Sequence, residues 1–196
     1  MADLSTVLTV PNFSGWAYDP LRKQLDIVSR DGKIIGWNVE SQAADFTLEI
    51  GGTPGSAALS VDSRYLVVGH YDRILTSDPF AVNPTYADQV TRIDLTNLST
   101  TEVRYAVPSS ELGVRDVVVT GTGKVLITGQ YNGSGWTPVR SFDVANPSAT
   151  FVDSTFQFDT MIHGQVSDNS QLLPSDTGAY VLIQYGNSTP GQSFLY

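Results

Sequence analysis

Residues 113–144, GVRDVVVTGTGKVLITGQYNGSGWTPVRSFDV, decide the fold, because much of the rest of the chain repeats their pattern. Runs of β-branched and apolar residues alternate here with turn residues such as Gly121 and Gly123. Such runs are typical of short antiparallel strands. With the segment that follows, the stretch predicts four consecutive strands, at 114–120, 124–130, 139–144 and 151–158.

The same unit occurs four times along the chain, and each unit opens with a glycine. These glycines are Gly15, Gly55, Gly113 and Gly164. An inner strand, a turn and then the most apolar strand of the unit follow each glycine. The predicted second strands are 24–29, 65–70, 124–130 and 180–185; the third are 33–39, 90–95, 139–144 and 192–196; the outer are 46–50, 103–107 and 151–158. No window has a capped, helix-like apolar period, so the chain is predicted to be all-β.

Three segments carry a resemblance to a known class of repeat. They are SVDSRYLVVGHYD (60–72), TRIDLTN (91–97) and RSFDVAN (140–146). They resemble the β-propeller superfamily of WD40-like and YVTN-like repeats, and the resemblance implies radial blades of four antiparallel strands. The Trp-Asp ending and Gly-His opening of WD40 repeats are absent, so the hydrogen-bonded tetrad of that family is not carried over.

A single four-bladed propeller domain over residues 1–196 follows from this pattern. The predicted blades are 13–52, 53–110, 111–160, and 161–196 together with 5–12. The last unit stops after its third strand, and residues 6–11, TVLTVP, are predicted to supply the missing outer strand. Such closure removes free sheet edges. Two alternatives stay open: half of an eight-bladed ring, in which each N-terminal strand completes the last blade of a second copy, or a fragment of a larger propeller.

Composition excludes several classes of function. The formal net charge of −9 repels phosphate backbones, so no nucleic-acid partner is expected. No apolar run is long enough to span a membrane, and the N-terminus does not resemble a signal peptide. Cysteine is absent, which excludes disulfides and thiolate chemistry. The compartment stays open, with an extracellular or periplasmic location slightly favoured over the cytoplasm.

A ligand-binding face is predicted on the side that carries the two longest predicted loops, at residues 71–89 and 131–138. In a propeller, the loops from second to third strands and those between blades share one face, and loops on a repeated scaffold often bind ligands. The predicted ligand-binding residues are His70, Tyr71, Asp72, Tyr131, Asn132, Trp136 and Tyr185. Tyrosines at one level of a ring suit stacking on sugars. Alternatively, they pack between blades with their hydroxyls at the rim.

Metal binding and catalysis have weaker signals. His70 and His163 are the only histidines and are candidate ligands of a divalent cation; a calcium ion at the channel mouth is a further hypothesis, and no other cofactor is expected. No nucleophile elbow or phosphate-binding loop occurs, so no catalytic residue is predicted.

Three functions are therefore considered. The leading one is a non-catalytic binding or scaffold module that presents its loop-decorated face to a protein or glycan. The alternatives are a lactonase-like propeller hydrolase with a divalent metal in its central channel, and a structural repeat unit that self-assembles, for example as a homodimer.

Overall fold

A computed structural model describes residues 8–133, 135–148, 150–152, 165–185 and 193–196, which form only strands, turns and loops. The strands of the first half are β1 (Phe13–Asp19), β2 (Gln24–Ser29), β3 (Lys33–Asn38), β4 (Ala43–Glu49), β5 (Pro54–Leu59), β6 (Tyr65–His70), β7 (Ile74–Leu75), β8 (Tyr86–Asp94) and β9 (Ser99–Val107). Those of the second half are β10 (Glu111–Val119), β11 (Lys124–Tyr131), β12 (Trp136–Pro138), β13 (Arg140–Asp143), β14 (Phe151–Val152), β15 (Gln165–Ser167), β16 (Gln171–Pro174), β17 (Val181–Gln184) and β18 (Ser193–Leu195). The prediction of an all-β chain is confirmed.

The strands form four antiparallel sheets in chain order, with one small extra sheet. Sheet I has the order β1-β2-β3-β4, and sheet II has β5-β6-β8 with β7 and β9 both paired to β8. Sheet III has the order β10-β11-β13-β14, and sheet IV has β16-β17-β18. The extra sheet pairs β12 with β15. Each main sheet is therefore a meander of neighbouring strands, as the repeat pattern predicts.

Successive sheets pack face to face through their apolar residues. Three apolar clusters fill the junctions between sheets I and II, II and III, and III and IV. The first strands of the sheets also lie side by side, because β1 packs against β5, β5 against β10, and β10 against β16. Within the described residues, no comparable packing joins β16 to β1. This arrangement of small radial sheets is propeller-like.

The glycines that open the first two units lie where two inner strands approach closely. A Cβ added to Gly15 would lie 2.5 Å from the backbone oxygen of Gly55, whereas a Cβ added to Gly55 would have only ordinary contacts, at 3.6 Å and beyond. Only glycine at position 15 therefore lets β1 approach β5 at this distance.

Two differences from the sequence prediction concern the long loops. The segment predicted as a loop over 71–89 contains β7 and the first residues of β8, whose Asp88 is fully buried. The segment predicted as a loop over 131–138 contains β12, which pairs with β15 across two sequence units. Such pairing depends on contacts between distant segments, which local patterns do not reveal.

The predicted N-terminal strand lies partly outside the described residues. Residues 8–10 belong to no strand. Pro11 and Asn12 contact the end of β2, because the Ser29 hydroxyl donates to the Pro11 oxygen at 2.9 Å and the Arg30 amide to the Asn12 oxygen at 2.9 Å. Among the described strands, β18 pairs only with β17.

Candidate functional site

A cleft of about 380 Å³ lies where the inner strands converge, and residues of all four main sheets line it. We call it the axial cleft. Its polar lining includes Arg30, Ser56, Tyr71, Arg115, Asp116 and Gln171. Arg30 follows the last residue of β2 and Tyr71 follows the last residue of β6, so the two occupy equivalent positions in successive sheets. A single cleft thus collects side chains from four separate sequence units.

Two arginines and one carboxyl, that of Asp116, line this cleft, so positive charge exceeds negative charge there. The guanidinium carbon of Arg30 lies 5.2 Å from the ring centroid of Tyr71, a cation–π arrangement. Neither Arg30 nor Arg115 forms an ion pair with any carboxylate among the described residues. Arg30 is exposed and Arg115 is half-buried. Both guanidinium groups can therefore meet an anionic ligand without breaking an ion pair, although the Arg115 charge also favours the ionised form of the Asp116 carboxyl in the same lining.

Asp116 connects the sheets at the base of this site. Its Oδ2 accepts a hydrogen bond from the Leu172 amide at 2.8 Å, and its Oδ1 accepts one from the Val117 amide at 2.9 Å. Burial raises the pKa of Asp116 to about 6, although both amides favour the ionised form. Since Leu172 lies in β16, this carboxyl joins sheet III to sheet IV.

The backbone of Tyr71 is held against sheet III. The Gln130 amide side chain donates to the Tyr71 oxygen at 3.1 Å. Gly113 has a φ of 152°, and a Cβ there would lie 1.9 Å from the same oxygen. Only glycine fits this position, both for its backbone conformation and for the space available. The tyrosine that faces the cleft is therefore fixed by its main chain.

A second aromatic pair lies away from the axial cleft. Trp136 and Tyr185 make an edge-to-face contact, with ring centroids 5.6 Å apart and ring planes at 79°. Trp136 is 37% exposed, whereas Tyr185 is buried in the apolar cluster between sheets III and IV. Tyr131 is half-buried at the end of β11. None of these three residues lines the cleft, so the structure does not bring the three predicted tyrosines together there.

His70 is an internal side chain and is only 2% exposed. Its Nε2 lies 2.8 Å from the Thr91 hydroxyl and 3.4 Å from the Gln89 amide nitrogen. Burial lowers the pKa of His70 to about 4, so the ring is neutral at physiological pH. Two other predicted site residues, Asp72 and Asn132, are exposed.

His163, the other predicted metal ligand, lies outside the described residues. In the part of the chain that the structure describes, no three His, Asp or Glu side chains are grouped closely enough to hold a metal ion. Nor does that part contain a helix long and apolar enough to cross a membrane.

A further polar cluster is buried between sheets II and III. Arg140 Nη1 and Nη2 donate to the two carboxylate oxygens of Glu111, at 2.7 and 2.9 Å. Asp88 lies opposite Tyr105 across the β8–β9 pair. Burial, followed by the nearby charge of Glu111, raises the pKa of Asp88 to about 7. None of these residues lines the axial cleft, and we interpret the cluster as part of the sheet–sheet junction.

Sequence reasoning missed Arg30 and Arg115 as site residues. Arg30 occupies the position in its unit that Tyr71 occupies in the next, and Arg115 comes two residues after the opening glycine of the third unit. Aligning the units at the residue that follows each second strand places Arg30 beside Tyr71. If charged residues as well as aromatic residues are sought at that position, the alignment identifies Arg30. Nothing local to Arg115 indicates that it faces the same space.

Comparison with known proteins supports the fold. No family model matches the sequence, and no curated protein matches it significantly. The structure is similar to that of dihydro-heme d1 dehydrogenase NirN in complex with DHE, with a TM-score of 0.54, 16% identity, and coverage of 89% of this chain and 33% of that one. It is also similar to a structural genomics protein of unknown function from Bacteroides thetaiotaomicron, with a TM-score of 0.55, 12% identity, and coverage of 88% and 38%.

These likenesses establish the class of protein and no more. At 16% and 12% identity they show the fold alone, which is a β-propeller-like arrangement of antiparallel sheets. No specific WD40 or YVTN family is supported. The chain spans 33% and 38% of the length of these two solved chains.

Proposed function

We propose that this chain is a non-catalytic binding module, that its four main sheets are consecutive propeller blades, and that its ligand is an acidic glycan held in the axial cleft. One observation carries the proposal: Arg30 and Arg115 line the same cleft, and neither forms an ion pair with a carboxylate among the described residues. The chain as a whole has a net charge of −9, so the positive charge of these two guanidinium groups is a local feature of the cleft.

The chemistry of the lining fits a carboxylated sugar. A guanidinium binds a carboxylate through paired, charge-assisted hydrogen bonds, and it keeps its charge at all physiological pH values. The Tyr71 ring adds an aromatic surface, and the hydroxyl of Ser56 and the amide of Gln171 can bond sugar hydroxyls. The volume of about 380 Å³ lies in the range of small-ligand sites, large enough for one or two sugar units.

The predicted loop face fits this proposal as an additional contact region for a longer chain of sugars. Trp136 offers a partly exposed ring that Tyr185 supports by edge contact. Ligand contacts by Asp72, Tyr131 and Asn132 remain predictions of the sequence. A protein partner with an acidic segment is the competing ligand for two arginines, and the experiment below distinguishes it.

The test is a titration followed by tryptophan fluorescence, because Trp16 lines the cleft. The probes are an oligogalacturonide, a neutral galactose oligomer of the same length, and a poly-glutamate peptide. We expect saturable binding of the oligogalacturonide, and roughly ten-fold or greater weakening in each of Arg30→Gln and Arg115→Gln, since a bond to a charged group contributes about 1.5–3 kcal/mol.

The control variant is Arg104→Gln, which removes an arginine that is paired with Glu102 on the exposed outer strand of sheet II. It should bind the oligogalacturonide like the parent. Equal binding by the parent and both cleft variants would contradict the proposal. So would equal affinity for the neutral oligomer, or binding of the peptide without binding of the glycan.

A further inference from the structure

The interior sheets of this protein have two apolar faces, one for each neighbour. In sheet II, Leu66 and Val68 pack toward sheet I, whereas Tyr65 and Val67 pack toward sheet III. Adjacent residues on one strand thus belong to opposite junctions, as the alternation of side chains requires. The same holds in sheet III, where neighbours on β11 belong to the clusters on either side.

Sheet IV has one such face packed and the other exposed. Leu172 and Ile183 are buried against sheet III. Their neighbours Leu173, Leu182 and Leu195 form a direct cross-strand row on the other side and are 45%, 39% and 64% exposed. We call this row and its flanking residues Gln171, Gln184 and Ser193 the open face of sheet IV. It contains no charged residue.

Sheet I is open on its opposite side. Trp16, Ile27 and Ile35 form a cross-strand row there, and a second row joins Tyr18, Leu25 and Trp37. Trp16 and Tyr18 are 58% and 45% exposed, Leu25, Ile35 and Trp37 are half-buried, and Ile27 at the centre of the first row is only 6% exposed. An apolar cleft of about 430 Å³ runs along this surface between Trp16, Ile27 and the N-terminal Leu8. We call the two rows the open face of sheet I.

The two open faces are the two halves of one junction. At every interior junction, the side of one sheet that faces the next sheet in the chain packs on the side of that sheet that faces back toward the preceding one. Sheet IV exposes a side of the first kind, and sheet I exposes a side of the second kind. Contiguous apolar surfaces of this kind are uncommon on monomers. A second copy of the same chain offers a sheet I face for the open face of sheet IV, and a sheet IV face for the open face of sheet I. We therefore take a second copy as the partner that covers both faces.

We propose that two copies of this chain associate head to tail, so that the open face of sheet IV of each covers the open face of sheet I of the other. Two copies of four sheets then close through two identical junctions related by a two-fold axis. This contact stacks whole sheets and requires no exchanged N-terminal strand. The proposal does not depend on which ligand binds. It does affect the axial cleft, because Trp16 of sheet I and Gln171 of sheet IV line that cleft, and a second copy packed on these two sheets would add further residues to its wall.

The experiment is size-exclusion chromatography with light scattering at micromolar concentration. We expect the parent to have twice the 21.2 kDa mass of the chain. Leu182→Glu should be monomeric, and so should Trp16→Glu, because each removes one half of both junctions. In an equimolar mixture of the two variants, a mixed dimer has one intact junction, between sheet IV of Trp16→Glu and sheet I of Leu182→Glu, and both substitutions meet in its other junction. It should therefore form more weakly than the parent dimer but more strongly than a dimer of either variant alone. Val61→Glu, at an apolar residue that is 55% exposed in a turn, is the control and should stay dimeric.

Circular dichroism and thermal unfolding of each variant establish that it is folded. If Leu182→Glu fails to fold, Leu195→Glu at the more exposed end of the same row replaces it. A monomeric parent would overturn the proposal and leave the open faces to other occupants, such as the blades of a longer chain. Dimers of Trp16→Glu alone would also overturn it, because they would mean that like faces pair.

Discussion

Glu111 and Arg140 form a buried, doubly bonded ion pair that crosses β11 above Gly129. Their two hydrogen bonds measure 2.7 and 2.9 Å, and a Cβ added to Gly129 would lie 3.1 Å from Glu111 Oε2. The strand between the two residues therefore carries a glycine where the pair passes. This arrangement fixes the first and third strands of sheet III relative to each other.

Removing one partner of this pair should destabilise the protein strongly. We expect Glu111→Gln to lower the free energy of unfolding by about 3–5 kcal/mol, because it leaves the Arg140 charge buried without its counter-charge. The matched control is Glu102→Gln, whose pair with Arg104 is exposed and should contribute only about 0–1 kcal/mol. Urea unfolding of the parent, Glu111→Gln and Glu102→Gln measures the loss of stability in each variant. Similar midpoints for Glu111→Gln and its control would refute this interpretation.

Asp88 predicts a specific pH dependence. Its folded pKa of about 7 lies above the ordinary value of 3.8, mainly because the carboxyl is buried and then because Glu111 is near. The folded protein therefore holds a proton that the unfolded chain has lost between about pH 4 and pH 7, and this group's contribution to stability falls as the pH rises through that window. The stabilising contribution of Asp88 returns only when the pH is lowered again.

Asp88→Asn tests this dependence, because asparagine mimics the neutral acid. We expect the stability of the variant relative to the parent to increase between about pH 4 and pH 8, by about 4 kcal/mol. The exposed Asp176→Asn serves as the control and should follow the parent throughout. A constant difference between Asp88→Asn and the parent over this range would contradict the assignment.

Because β1 and β5 approach each other closely, we expect alanine to destabilise the protein more at Gly15 than at Gly55. Gly15→Ala places a methyl group 2.5 Å from the Gly55 oxygen, so we expect it to destabilise the fold by about 1–3 kcal/mol. Gly55→Ala meets its nearest neighbour at 3.6 Å and should cost much less. Thermal unfolding of both variants compares them directly. Equal losses would show that strand propensity, rather than the contact, sets the requirement for glycine.

His70 should remain neutral over a wide pH range. Because burial lowers its pKa to about 4, its ring signals in NMR spectra should not shift between about pH 8 and pH 5. Its protonation opposes folding, so this group's contribution to stability falls as the pH drops below about 6.5. The variant His163→Gln leaves one histidine and simplifies the spectrum. Titration of that ring near pH 6.5, or line broadening on addition of zinc, would support the metal hypothesis for His70 instead.

The third strands show how far the sequence alone predicts this structure. Asn38, Asp94 and Asp143 occupy the same position in three units, and each side chain accepts a hydrogen bond from the backbone amide two residues later, at 3.0, 3.0 and 2.8 Å. These Asx turns are local, so the repeated Asp in TRIDLTN and RSFDVAN indicated where the third strands end. Local turn chemistry and apolar periodicity were sufficient for the all-β fold and for second strands such as β2 and β6.

The axial cleft could not be predicted in the same way. Arg30 and Arg115 are separated by many residues and face a common space only because their sheets converge. The buried position of His70 likewise depends on Thr91 and Gln89 of another strand. The sequence pattern predicts Tyr71 as a ligand-binding residue, and Tyr71 does line the cleft, but the pattern does not single out Arg30 beside it. Local sequence patterns do not show which charged residues the tertiary structure brings together.

The central claim is that ligand binds between Arg30 and Arg115 in the axial cleft. NMR observation of the arginine side-chain Nε–H and tryptophan indole signals during an oligogalacturonide titration tests it most directly. We predict shifts of the Arg30 and Arg115 signals and of the Trp16 indole, with the exposed Arg104 unchanged. Shifts confined to the Trp136 indole, with both cleft arginines unmoved, would contradict the claim and place the ligand on the loop face.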